Sequence, residues 1–188
     1  MAGRHWNWRP FRLLPTALEQ GLVETRSQIR LEAKVALSDC PIPEILLVPG
    51  GYGARRAAQD ERIVAWCRHA CLHAELTLAI GAGVMVLGAA GVLDGAEVAA
   101  ASDARAWLSS ALPNTRLNET QPIVSSLAGK LLTVANASHG VELGLAVVER
   151  CLGARAAASL RMSMGYAAAS GLELHEPLDM TKITLPPR

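Results

Sequence analysis

An α/β fold built on a mostly parallel sheet is what this sequence predicts, on three observations. Two short apolar runs, Glu44 to Val48 and Glu75 to Ile80, read as buried strands. Each runs into a glycine-bearing loop, Pro49 to Gly53 and Gly81 to Gly83, and each loop opens a helical stretch. The same alternation of strand and helix returns towards the C-terminus, which argues for helices on both faces of the sheet.

The elements follow in order. Phe11 to Leu14 reads as a short strand stopped by Pro15. From Gln28 to Leu37, Ile29, Leu31, Ala33, Val35 and Leu37 alternate with Arg30, Glu32, Lys34 and Ala36, the period of an extended segment with one buried face. Ser38 to Pro43 is a turn, and Glu44 to Val48 is expected to be covered on both faces. One helix is expected from Arg55 to Ala74, its buried stripe drawn from Ile63, Trp66, Ala70 and Cys67 or Cys71. After the strand ending at Ile80 comes a helix, Val84 to Ala90, closed by Gly91, and a turn at Asp94-Gly95. Asp103 to Leu112 is helical and stops at Pro113. Ile123 to Ser126 and Lys130 to Ala135 are strands joined at Ala128-Gly129. A polar loop, Asn136 to Gly140, precedes an amphipathic helix from Val141 to Leu152, ended by Gly153, and a further helix from Ala154 to Ala169.

The 188 residues suffice for one well-buried domain, expected over residues 1–170, with an extended tail at 171–188. The sequence is 51% hydrophobic, a composition for packing and not for disorder. A formal net charge of +1 provides no basic field for gripping nucleic acid, so none is expected to bind to this domain alone. The apolar stretch Leu76 to Leu93 is rich in glycine and reads as strand, turn and helix, not as a membrane span. Four scattered cysteines and no apolar leader at the N-terminus make a reduced, cytoplasmic protein the expectation.

In open α/β sheets ligands bind beyond the carboxyl ends of the strands, so the two glycine loops matter most. Gly51, Tyr52, Gly81 and Ala82 are the candidates there, with backbone N–H groups of Gly51, Gly81 and Ala82 forming a cradle for an anionic or polar ligand. The competing reading of Gly81 is a residue that only relieves strain in a tight turn. His139, from the Asn136 to Gly140 loop, is a candidate polar contact; Asn136 and Ser138 read as caps of the following helix. Arg55 and Arg56 face either a carboxylate ligand or solvent. Cys67 and Cys71 share one helix face and His69 and His73 nearly the opposite one, so the four do not converge on one ion, and no metal or other cofactor is expected.

Three blocks together, EILLVPGGYGARR (Glu44 to Arg56), AIGAGVMVLGAAGVLDG (Ala79 to Gly95) and LLTVANASHGVELGLAVVERCLG (Leu131 to Gly153), resemble the ThiJ/PfpI (DJ-1-like) superfamily. The resemblance runs from about Phe11 to Tyr166. Its flavour is that of the ligand-sensing domain of AraC-type transcriptional regulators. It implies a flavodoxin-like, glutamine-amidotransferase-like fold, whose first strand has no counterpart here, and it implies a homodimer. The family's enzymes place a Cys in the elbow and a His after the LDG turn. Gly81 and Ala101 stand at those places, and the supporting acid of the first strand–helix unit has no match. The resemblance thus implies a non-catalytic sensing or interaction domain, a pseudoenzyme with no catalytic residue. A hydrolase or lyase with a Cys-independent site, using His139 or Ser102, is the alternative.

Overall fold

The computed structural model describes residues 10–166. The expected tail at 171–188 and the end of the last helix, to Ala169, lie outside the described residues. The chain forms two compact units that divide between Pro41 and Ile42.

In the N-terminal unit no strand forms at Phe11 to Leu14; pairing begins beyond Pro15, at β1 (Thr16–Ala17). Proline has no N–H to donate, but its carbonyl accepts the Lys34 N–H at 2.7 Å and starts the ladder. A hairpin that the sequence reading missed follows. β2 (Gly21–Glu24) runs antiparallel to β3 (Arg30–Ala33), with Gly21 opposite Ala33 and Glu24 opposite Arg30. β4 (Val35–Ala36) pairs in parallel with β1, Thr16 beside Val35. In the hairpin loop Gln28 donates to the Thr25 carbonyl and takes φ 62°, the left-handed residue that closes a three-residue connection. The alternation from Gln28 to Leu37 does mark extended chain, but its apolar face is buried only in part: Ile29 and Leu31 are 61% and 57% exposed, Val35 and Leu37 are half-buried, and Ala33 is buried.

The second unit holds the sheet expected from the sequence. Its elements are β5 (Ile45–Val48), α1 (Tyr52–Ala57), α2 (Glu61–His73), β6 (Leu76–Ile80), α3 (Gly83–Ala89), β7 (Glu97–Val98), α4 (Ser102–Ala111), β8 (Arg116–Leu117), β9 (Ile123–Ser126), β10 (Leu131–Val134), α5 (Gly140–Leu152) and α6 (Ala154–Ser163). A four-stranded sheet runs β5-β6-β10-β9. β5, β6 and β10 are parallel, and β9 returns antiparallel to β10. β7 and β8 form a separate parallel pair.

The central strands are covered on both faces: every residue of β10, and β6 from Leu76 to Ala79, is buried. β5 departs from expectation. It lies at the sheet edge among the described residues, so Leu46 and Val48 are buried while Leu47 is 45% exposed. The single helix expected from Arg55 to Ala74 is two. Asp60 interrupts it and caps α2, its carboxylate accepting the N–H groups of Arg62 (3.0 Å) and Ile63 (3.4 Å). α3 is buried from Gly83 to Gly88, which explains the long apolar stretch. Among the described residues no helix is long and apolar enough to cross a membrane.

Candidate functional site

The elbow between β6 and α3 is built by close backbone approach. A Cβ on Gly50 would run into the Ile80 carbonyl, and one on Gly83 into the Val48 carbonyl, so glycine at both positions lets the β5 loop nest against the elbow. Gly81 has φ +55°, the left-handed conformation of a sharp strand-to-helix turn. A Cβ there would meet the Ala135 carbonyl oxygen at 3.3 Å and the Ala101 Cβ at 3.7 Å. The two positions singled out in the sequence, Gly81 and Ala101, are therefore neighbours in space.

The cradle changes in one respect. The Gly81 N–H donates to the Val134 carbonyl at 2.7 Å, so it belongs to the sheet and not to a ligand. The amides of Gly51 and Ala82 are what remain for the reading. Gly51 has φ +90°, and a Cβ on it would meet nothing within 4 Å, so its Cα faces open space. Tyr52 opens α1 and is 63% exposed; Ala82 is buried.

The Ala135 to Gly140 segment borders the elbow at two points. One is the Ala135 carbonyl beside Gly81; the other is Gly140, whose added Cβ would lie 4.0 Å from Ile80 Cδ1. His139 is the residue that leads into α5, and its Nδ1 is buried without a hydrogen-bond partner. The capping expected of Asn136 does not occur. Asn136 heads a short 3-10 turn over Ala137–His139 and makes no side-chain cap bond, and α5 begins only after that turn, with no side-chain cap.

Other candidates resolve more simply. Arg55 is engaged: its guanidinium donates to the Asp103 carbonyl oxygen at 2.7 Å and pairs with the Asp103 carboxylate at 3.1 Å. This exposed contact ties α1, just after the glycine loop, to α4, just after Ala101. In α2, burial and the neighbouring Cys71 push the Cys67 thiol up to about 12, and burial raises Cys71 as well. Both are held as thiols, without thiolate reactivity at neutral pH. His69 and His73 lie on the exposed side with ring centroids 4.4 Å apart, and His73 Nδ1 meets the His69 carbonyl. Among the described residues no group of three or more His, Cys, Asp or Glu side chains could hold a metal ion.

The strand–PGG–helix loop, the glycine elbow and the α5 approach form one arrangement, and the model of the DJ-1/PfpI family matches residues 12–150. The chain belongs to the DJ-1/PfpI family. The isonitrile hydratase of Pseudomonas putida is 24% identical over 163 residues, which are 82% of this chain and 66% of that protein, so the chain spans just under two thirds of that relative. A ThiJ/PfpI family protein from Pseudomonas syringae shares the fold with a TM-score of 0.74 at 21% identity, over 84% of this chain and 64% of that one. An AraC family transcriptional regulator from Pseudomonas putida matches with a TM-score of 0.65 at 22% identity, over 82% of this chain and 81% of that one.

Within this DJ-1/PfpI framework, two groups near the site escaped the sequence reading. Thr133, fully buried in β10, accepts the Ala99 N–H on its hydroxyl at 2.8 Å and so fixes the segment leading to Ala101. A lone Thr in an apolar strand reads as a β-former, and nothing in the sequence marks its partner. Glu142, in the first turn of α5, has a buried Oε2 without a partner. It is three residues after His139, so the helical spacing, together with the helix start at Gly140, could have flagged it.

Proposed function

We propose that this chain is a small-molecule-sensing domain of the ThiJ/PfpI type, as in AraC-family transcriptional regulators, which binds its ligand without covalent catalysis. The observation that carries the reading is the adjacency of Gly81 and Ala101: the elbow keeps its sharp backbone, but neither position has a side chain that could attack or shuttle a proton. The similarity to an AraC family regulator supports the regulatory side of the reading.

The ligand is small and polar or anionic. Gly51 and Ala82 offer backbone amides near the elbow, and Tyr52 flanks the open side of the loop. His139 Nδ1 and Glu142 Oε2, both buried and unpaired, are polar atoms that a ligand with complementary hydrogen-bonding groups would satisfy. The domain works as a homodimer, does not itself bind nucleic acid, and acts in the cytoplasm, where its free cysteines, Cys40, Cys67, Cys71 and Cys151, stay reduced.

The similarity to an isonitrile hydratase favours a second reading, an enzyme with a Cys-independent site. One experiment separates the two. A thermal-shift screen with small amines, amino acids and carboxylates, followed by calorimetric titration of hits, is run beside assays for isonitrile hydration and glyoxalase turnover. Saturable binding without turnover supports the sensor. Reproducible turnover that is lost on changing His139 or Ser102 overturns it.

A further inference from the structure

We propose that His69 and His73 form a surface chelate for a divalent transition-metal ion, Cu(II) or Ni(II), on the last turn of α2. The inference does not depend on the sensing reading.

Residues four apart on a helix stand on one face, with about 5–6 Å between Cβ atoms, so two histidines at that spacing can close on a single ion. Both side chains are exposed. Their rings are not stacked: the centroids are 4.4 Å apart and the planes are tilted by 51°. Two imidazoles bound cis to one ion, with metal–nitrogen bonds of about 2.0–2.1 Å, have centroids about 4.5 Å apart, so the rings already stand at chelating separation. The tautomer of one ring is set as well. His73 Nδ1 lies 2.8 Å from the His69 carbonyl oxygen, which only accepts, so Nδ1 carries the hydrogen and Nε2 of the neutral ring carries the lone pair. A ring that donates one N–H to a backbone carbonyl and offers its other nitrogen is the usual arrangement of a metal-ligating histidine.

The surroundings favour a cation. α2 ends at His73, and the carbonyl dipoles of its last turn put partial negative charge beside the pair. Arg68, the cationic neighbour on the same helix, has its Nε committed to the Ala90 carbonyl at 2.7 Å. The ligand type then selects the ion. Imidazole suits Cu, Ni and Zn, and two cis nitrogens with water in the remaining positions fit the square-planar or tetragonal preference of Cu(II) and Ni(II). Cu(II) is expected to bind more tightly than Ni(II), and Ni(II) more tightly than Co(II). Cys67 and Cys71 take no part: they share the opposite side of α2, and burial keeps both as thiols. The chelate therefore uses two protein ligands and not the four that the sequence sets close together.

Equilibrium dialysis of the full chain against Ni(II), chosen because it does not oxidise thiols, tests this. His69→Gln and His73→Gln are each expected to weaken the binding of one equivalent of Ni(II) at least tenfold. The double variant is expected to lose no more than either single one, because a chelate needs both rings. Both positions are exposed and Gln is a good helix former, so all three variants are expected to fold as the wild type does. Melting temperature gives a second readout. The two rings converge only in the helix, so Ni(II) is expected to raise the Tm of the wild type more than that of any variant. Ni(II) binding and stabilisation that survive both substitutions overturn the proposal. Losses that add, or that follow one histidine alone, also overturn it, because they mark independent rings and not a chelate.

Discussion

A Cβ placed on Gly81 would lie 3.7 Å from the Cβ of Ala101, so the elbow and the segment after β7 meet where neither brings a functional side chain. Both positions are available to side chains by substitution, and the consequences differ. At φ +55° an L-residue costs about 1–2 kcal/mol relative to glycine, and the Ala135 carbonyl at 3.3 Å makes the fit tight. Gly81→Ala is therefore expected to lower stability by about 1–2 kcal/mol in urea titrations. Gly81→Cys with Ala101→His is expected to be destabilised similarly but to gain a thiol that alkylates at neutral pH faster than Cys67, which burial holds protonated. Equal alkylation rates for the two thiols would mean that a thiol at the elbow is no more reactive than one buried in α2.

The close approach of the glycine loop to the elbow makes a sharper prediction. A Cβ on Gly83 would collide with the Val48 carbonyl and lie 3.0 Å from the Pro49 carbonyl oxygen, and backbone atoms cannot swing aside as a flexible side chain does. Gly83→Ala is expected to cost about 3 kcal/mol or more, beyond the range of ordinary overpacking. Gly144→Ala, on a helix where an added Cβ meets nothing within 4 Å, is the control and is expected to be neutral or stabilising. Thermal melts of the two variants side by side decide it.

The parts of the fold legible in the sequence are those with strong local signals. The apolar runs that became β5 and β6 each end in a glycine loop, and the Ala128-Gly129 turn marks the β9–β10 hairpin. What stayed hidden had other causes. The β2–β3 hairpin closes with Gln28 in the left-handed conformation, where glycine would have signalled the turn, and its apolar residues are exposed. The break between α1 and α2 contains neither Gly nor Pro; Asp60 before Glu61, a capping residue ahead of an acidic first turn, is its local sign. At the site, the sequence indicated that Gly81 and Ala101 belonged to one arrangement only through the family resemblance. Their contact is tertiary, as are the bonds that commit the Gly81 N–H to Val134 and Arg55 to Asp103.

The cap at Asp60 should make stability depend on pH. Hydrogen bonds from Arg62 hold its carboxyl below the ordinary value, partly opposed by desolvation. A depressed folded-state value means the contribution is present above the unfolded carboxyl's value and is lost as pH falls through the folded one. Asp60→Ala is expected to lower the melting temperature at pH 7, and the gap from wild type is expected to narrow below about pH 4, where the unfolded carboxyl titrates. Melting curves from pH 7 to pH 2.5 check this; a gap independent of pH would assign the effect to helix propensity instead of the carboxylate.

Thr133 links the core to the candidate site and allows stability and binding to be read together. Its hydroxyl accepts the Ala99 N–H at 2.8 Å in a fully buried position, and Ala99 and Ala100 lead directly to Ala101 beside the elbow. Thr133→Val keeps the shape but leaves the Ala99 N–H without an acceptor, at a cost of about 1–3 kcal/mol. Thr133→Ser keeps the hydroxyl and loses one methyl, at about 1 kcal/mol. The two variants therefore separate the hydrogen bond from the packing. If the Ala99 to Ala101 segment forms one side of the ligand site, calorimetric titration with a ligand from the screen should show weaker binding for Thr133→Val and near wild-type binding for Thr133→Ser. Asp60→Ala, destabilised at a helix start outside the elbow, should bind as wild type does. Weakening that tracks overall stability across all three variants would instead show that the segment takes no part in the site.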